Sequence, residues 1–191
     1  MVSFIPIEEY PNRIALDIVD YISTYIENKI VCDIGCGAGD LLEYIKHRNL
    51  AKEVKGIEIT TERYIKERTY IQNGDVLKLG IPKADVYFLW LGGHFPYELL
   101  LKQMKEEKII IYLDGFEEHH KLFNNYKGIS LIETINFNFD EEKFVPENEF
   151  ENWKKQLLNK AQIRYKQHPT HPQNWTPKGT RLCKIYRYKP N

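Results

Sequence analysis

No uninterrupted apolar run in this 191-residue chain approaches the length of a membrane-spanning helix, about 18 residues. Met1-Val2-Ser3-Phe4-Ile5-Pro6 also lacks the basic stretch and long apolar segment of a secretory leader. Cysteine is scarce. Cys32, Cys36 and Cys183 fall in no pairwise metal spacing and read as reduced, structural residues. These absences point to a soluble, cytoplasmic protein. Acid is missing from one end of the chain: all 27 Asp and Glu lie at or before Glu151. Residues 1–151 set 17 basic side chains against them, a net of −10, whereas residues 152–191 carry ten basic side chains and a net of +10. An asymmetry of that size needs a partner, within the molecule or outside it. The length suits one compact α/β domain with a single sizeable core and leaves no room for a second cofactor domain.

The chemistry-bearing signal is Val31-Cys32-Asp33-Ile34-Gly35-Cys36-Gly37-Ala38-Gly39-Asp40, a buried strand that turns through three alternate glycines into an amphipathic helix. Glycine at alternate positions lets the backbone turn tightly and approach a ligand with no Cβ in the way. The following helix start offers unpaired N–H groups. A dinucleotide fingerprint would read G-x-G-x-x-G, but the third glycine comes one residue early and Asp40 stands in its place. NAD is therefore not the expected ligand. Cys36, in the crowded turn with no histidine near it in sequence, reads as structural and not as a nucleophile.

The D-x-G-x-G-x-G pattern from Asp33 to Gly39 resembles the S-adenosylmethionine (SAM) loop of the class I, Rossmann-like methyltransferases. The resemblance implies that Asp33 supports the loop and the methionyl amino group, with Gly35, Cys36, Gly37 and Gly39 forming the cradle. It continues along the chain. Lys55-Gly56-Ile57-Glu58-Ile59 ends a second apolar strand in an acid 19 residues after Gly39, where the family holds the ribose hydroxyls. Glu58, with Ile59 beside it, is the implied ribose ligand. Asp75 and Val76, after a third short strand, stand where the family contacts adenine. By the same resemblance the cofactor is SAM, with S-adenosyl-L-homocysteine as product.

The remaining pattern alternates strand and helix, as in a doubly wound sheet with helices on both faces. Ile14, Leu16, Ile18, Val19, Ile22 and Ile26 give residues 8–28 a helical rhythm before the first strand, 29–34. Helices are predicted near 40–48, 60–68, 96–106, 116–125 and 147–163, and further strands near 53–58, 69–72, 84–90, 108–113, 129–138 and 181–188. Family topology makes the sheet mostly parallel with one antiparallel strand near the C-terminus. A single domain over 1–191 is expected, with a substrate-side insertion at about 140–180. Gln167 to Pro177 contains three prolines and reads as a loop or lid.

Ligands of open α/β sheets lie outside the carboxyl ends of the strands. After the fourth strand the chain reads Trp90-Leu91-Gly92-Gly93-His94-Phe95-Pro96, without the Asn/Asp-Pro-Pro-aromatic motif of methyltransferases acting on exocyclic or amide nitrogens. Trp90 is expected in the core or against adenine. His94 is the candidate catalytic base, with simple loop packing as the competing account. Some small O-methyltransferases hold a divalent ion between acids after strands four and five. The first of those acids is missing, and His94, Asp114 and His119 are a weak substitute, as is the pair His168 and His171, so no metal is expected.

The basic C-terminal stretch is interleaved with Trp153, Tyr165, Trp175, Tyr186 and Tyr188. That mixture fits phosphate contact with base stacking, but it fits equally neutralisation of the acidic body. Neutralisation, or an anionic small substrate, is the leading expectation. The expected activity is in-line methyl transfer to an oxygen or nitrogen of a small molecule or protein, protein lysine included. An RNA methyltransferase and a non-catalytic SAM- or partner-binding domain are the alternatives.

Overall fold

The computed structural model describes residues 14–61, 66–114, 116–167 and 178–190. Strands β1 (Ile30–Ile34), β2 (Glu53–Glu58), β3 (Ile71–Asn73), β4 (Val86–Leu89), β5 (Lys108–Asp114), β6 (Ile129–Asp140) and β7 (Lys178–Tyr188) form one seven-stranded sheet. Its order is β3-β2-β1-β4-β5-β7-β6. Every pairing among β1 to β5 is parallel, and β7 runs antiparallel between β5 and β6. The strand order reverses between β1 and β4, which places a crevice at the carboxyl ends of those two strands.

The central strands are apolar on both faces because both faces are covered. Val31, Phe88, Ile111 and Ile185 point to a layer formed by a 3-10 turn at Ile14–Ile18, α1 (Val19–Ile26) and α2 (Asp40–His47). Their neighbours Cys32, Tyr87, Tyr112 and Tyr186 point to the opposite layer, with α4 (Tyr97–Leu101) and α5 (Glu117–Asn124). On that second face Tyr97, Tyr112, Phe123 and Tyr186 form an aromatic cluster, with Tyr112 stacked on Phe123 at 4.4 Å and Tyr97 edge-on to both. Helices thus lie on both faces, as the alternation implies.

Differences from the sequence reading are local. The short helix α3 (Val76–Leu79) went unforeseen: four residues are too few to show a period, and its sign is Asp75, whose side chain accepts from Leu77 N and caps it. Of the helix expected at 60–68, residues 62–65 lie outside those described, and residues 66–68 form a turn that leads into β3 instead of helix. Trp90 is not a core residue, being 40% exposed at the end of β4. No helix among the described residues is long and apolar enough to cross a membrane.

β6 is parallel to β5, so its last residue, Asp140, leaves the sheet at the edge where the β1, β4 and β5 loops emerge. β7 re-enters there, with Lys178 opposite Asp140 and Leu182 opposite Asp114. The intervening chain carries two 3-10 turns, Glu141–Phe144 and Glu147–Glu149, and the helix α6 (Phe150–Gln167). Trp153 is fully buried with Leu157, against Val145 and Phe150. Trp153→Ala should therefore destabilise the protein by about 3 kcal/mol or more, measured by urea unfolding.

Candidate active site

The sheet's carboxyl edge is organised around the first glycine turn. Gly35, Gly37 and Gly39 all have positive φ, at 77°, 57° and 83°, which only glycine adopts at little cost. A Cβ on Gly35 would overlap Leu91 Cδ2, and one on Gly39 would overlap Ile71 Cδ1. Glu58, 3% exposed, ties the turn to β2. Its Oε2 accepts from Gly37 N at 2.7 Å and its Oε1 from Thr60 N at 2.8 Å. Its carbonyl accepts from Gly74 N at 2.8 Å and from Asn73 Nδ2 at 2.9 Å. One residue thus fastens the ends of β1, β2 and β3. Arg68 closes the far side of the turn, donating to Ala38 O at 2.5 Å and to Asp40 at 2.8 Å with both side chains buried.

Asp33 stands beside this lattice but outside it. The carboxyl is buried and takes no hydrogen bond among the described residues. Burial, reinforced by the neighbouring charge of Glu58, pushes its pKa up to about 7. The same surroundings push the Cys36 thiol far up, so it stays protonated and is no nucleophile.

The β4 and β5 ends meet across a glycine. Asp114, 4% exposed, accepts from Phe116 N at 3.0 Å through Oδ1. Its Oδ2 lies 2.9 Å from Nδ1 of His119, one turn into α5, and 3.4 Å from the Tyr112 hydroxyl. The His119 ring lies so close over Gly93 that any Cβ there would overlap it. His120, the next residue, is fully buried, with Nε2 3.2 Å from the Asp114 carbonyl oxygen and its pKa lowered by burial. His94 is exposed and forms no hydrogen bond among the described residues. Ile59 is exposed, Val76 buried and Asp75 intermediate. The sequence offers His119 only as a weak metal ligand beside His94 and Asp114; its hydrogen bond to Asp114 and its seat on Gly93, from the loop after another strand, carry no sequence signal. No group of three His, Cys, Asp or Glu that could hold a metal comes together among the described residues.

No family model matches the sequence, and neither does any curated protein. Solved structures do match. A SAM-dependent methyltransferase from Archaeoglobus fulgidus superposes with a TM-score of 0.53 at 17% identity, covering 90% of this chain and 91% of that one. The YcgJ protein of Bacillus subtilis gives 0.51 at 14% identity, over 91% and 98%. The m1A22 tRNA methyltransferase TrmK of B. subtilis also gives 0.51 at 14%, over 91% of this chain and 65% of that one. The chain has the Rossmann-like fold of the class I SAM-dependent methyltransferases. Its glycine turn follows β1, where the strand order reverses, and Glu58 and Asp75 lie at the ends of β2 and β3 on the same edge of the sheet.

Two consequences of this geometry are measurable. Gly39→Ala sets a side chain at φ 83° against Ile71 and should cost about 1–3 kcal/mol in urea unfolding. For Asp33 the folded pKa of about 7 exceeds the unfolded value near 4, so between those values the folded state holds the extra proton. Stability should thus fall as pH rises from about 4 to 7, by a few kcal/mol in all. Asp33→Asn should flatten that slope and be the more stable protein at about pH 8, with urea midpoints across pH as the test.

Proposed function

We propose that the protein is a SAM-dependent methyltransferase acting on an oxygen or nitrogen of a small molecule or a protein. The observation that carries this reading is the glycine turn fastened to Glu58 beside a buried Asp33 whose carboxyl takes no hydrogen bond among the described residues. The residues fit the cofactor: a backbone cradle in which a Cβ would collide with its surroundings, and beside it a buried acid, Asp33, to meet a cationic amino acid moiety. Asp33, Gly35, Cys36, Gly37 and Gly39 would hold the methionyl part and Glu58 the ribose, its carboxylate oxygens keeping lone pairs beyond those given to Gly37 and Thr60. Ile59, Asp75, Val76 and Trp90 would surround the adenine. Bound there, SAM supplies an electrophilic methyl on a sulfonium. The chain's task is then alignment and the exclusion of water. The segment following β6, which leaves and re-enters on the same edge of the sheet, is the natural wall of the acceptor site.

The C-terminal charge supports a small acceptor over RNA. Lys184 pairs with Glu117 at 3.1 Å, Arg187 and Lys189 with Glu107, and Lys178 with Asp140 and Glu142. Four of the ten basic residues thus neutralise the acidic body. Trp153, Tyr186 and Tyr188 are buried in the core and offer no stacking platform.

Calorimetric titration with SAM tests the reading. Binding is expected, weakened about tenfold or more by Glu58→Ala. Below pH 7, placing a cation against Asp33 should expel its proton, read as a dependence of the binding heat on the ionisation enthalpy of the buffer. A folded protein that gives no heat with SAM would overturn the proposal. Fluorescence anisotropy with labelled tRNA should show no binding at physiological salt; tight binding steeply weakened by salt would restore the RNA reading.

A further inference from the structure

Resting on that reading, we infer that His119, held by Asp114 and seated against Gly93, is the base that takes the proton from the acceptor, and that the acceptor is a small phenol. Asp114 is fixed from three sides, by Phe116 N, by the Tyr112 hydroxyl and by His119 Nδ1. A carboxylate can only accept, so Nδ1 carries the hydrogen and the Nε2 lone pair is left free. Nε2 has no hydrogen-bond partner among the described residues. His119 is 24% exposed at its side chain, enough for a small molecule to reach it. The ring overlies the loop after β4, at the crevice of the sheet. His120 makes the contrast: adjacent in sequence, it is sealed in the core.

The acceptor's class follows from what surrounds Nε2. An exocyclic or amide nitrogen acceptor would call for an orienting acid or amide after β4, where Leu91 and Gly92 stand instead. A hydroxyl, by contrast, arrives carrying a proton that it must lose. Phe116, 51% exposed, lies 5.2 Å from the His119 ring and gives the imidazole an aromatic, apolar neighbour. A flat aromatic alcohol fits it. In the transfer the phenolic O–H bond breaks and its proton goes to Nε2. The oxygen's electron pair forms the new bond to the methyl carbon, and the pair of the broken carbon–sulfur bond stays on sulfur. Solvent then removes the proton from His119. Asp114 acts as a positioning residue, fixing the tautomer.

The test uses wild type, His119→Ala and Asp114→Asn, with 4-nitrophenol as a chromogenic probe and catechol as a second. SAM calorimetry comes first, because its failure in wild type would remove the methyltransferase reading, whereas intact SAM binding isolates the base. In protein saturated with S-adenosylhomocysteine, bound 4-nitrophenol should ionise, read as nitrophenolate absorbance, and should not do so in His119→Ala. Transfer of labelled methyl to catechol should fall about 100-fold or more in His119→Ala with SAM affinity kept. Asp114→Asn should move the His119 proton from Nδ1 to Nε2, seen by nitrogen-15 NMR. A His119→Ala protein that ionises and methylates phenols as wild type does would sink the proposal. So would a SAM-binding wild type that leaves both phenols untouched.

Discussion

The hydrogen bond from Gly37 N to the Glu58 carboxylate is the constraint on which the rest of the site depends. A glycine turn with three positive φ angles is entropically costly to order, since each glycine surrenders more freedom than any other residue would. Glu58 offsets that cost by accepting from the turn at its midpoint while its own backbone is fixed in β2 and its carbonyl holds Gly74. The ends of three parallel strands are thereby brought to one level. A buried, charge-assisted bond of this kind is worth more than a neutral one. It fixes the shape of the cradle before any ligand arrives.

That economy has an electrostatic side. Burial, with Glu58 nearby as the lesser cause, makes ionisation of Asp33 costly, and its carboxyl keeps a proton up to about pH 7. Apolar residues in its place would give a more stable turn with nothing to offer a cation. On the proposed reading, the modest instability at this one acid is what a positively charged ligand would relieve, the usual relation between stability and function at a preorganised site.

Much of this was legible in the sequence because the relevant signals are local. Alternate glycines flanked by an apolar strand and an amphipathic helix, and acids closing successive strands, need no knowledge of distant contacts. What stayed hidden depends on partners far apart in the chain. Leu91 pressing on Gly35 joins two strands that neighbour only in space. The basic C-terminal aromatics resemble a nucleic-acid surface until the sheet shows Tyr186 inside it, with Lys184 beside it paired to Glu117. α3 escaped notice because a capping Asp75 also reads as a turn signal.

Asp114 and His119 are only five residues apart, but the seat of His119 on Gly93 belongs to the same class of hidden feature, and its position follows from the topology. β5 is the last of the parallel strands, and the polarity of its neighbours β4 and β1 brings their following loops to one edge. A histidine one turn into the helix after β5 therefore leans back over the loop after β4. It can approach only where that loop has no side chain, and Gly93 supplies the gap. An exposed His94 on the same loop has the right chemistry but, among the described residues, no partner to fix its tautomer or aim. Between two imidazoles of equal intrinsic basicity, the one held by a buried carboxylate has its proton-accepting nitrogen defined in direction, and direction is what proton transfer at a crowded reacting centre requires.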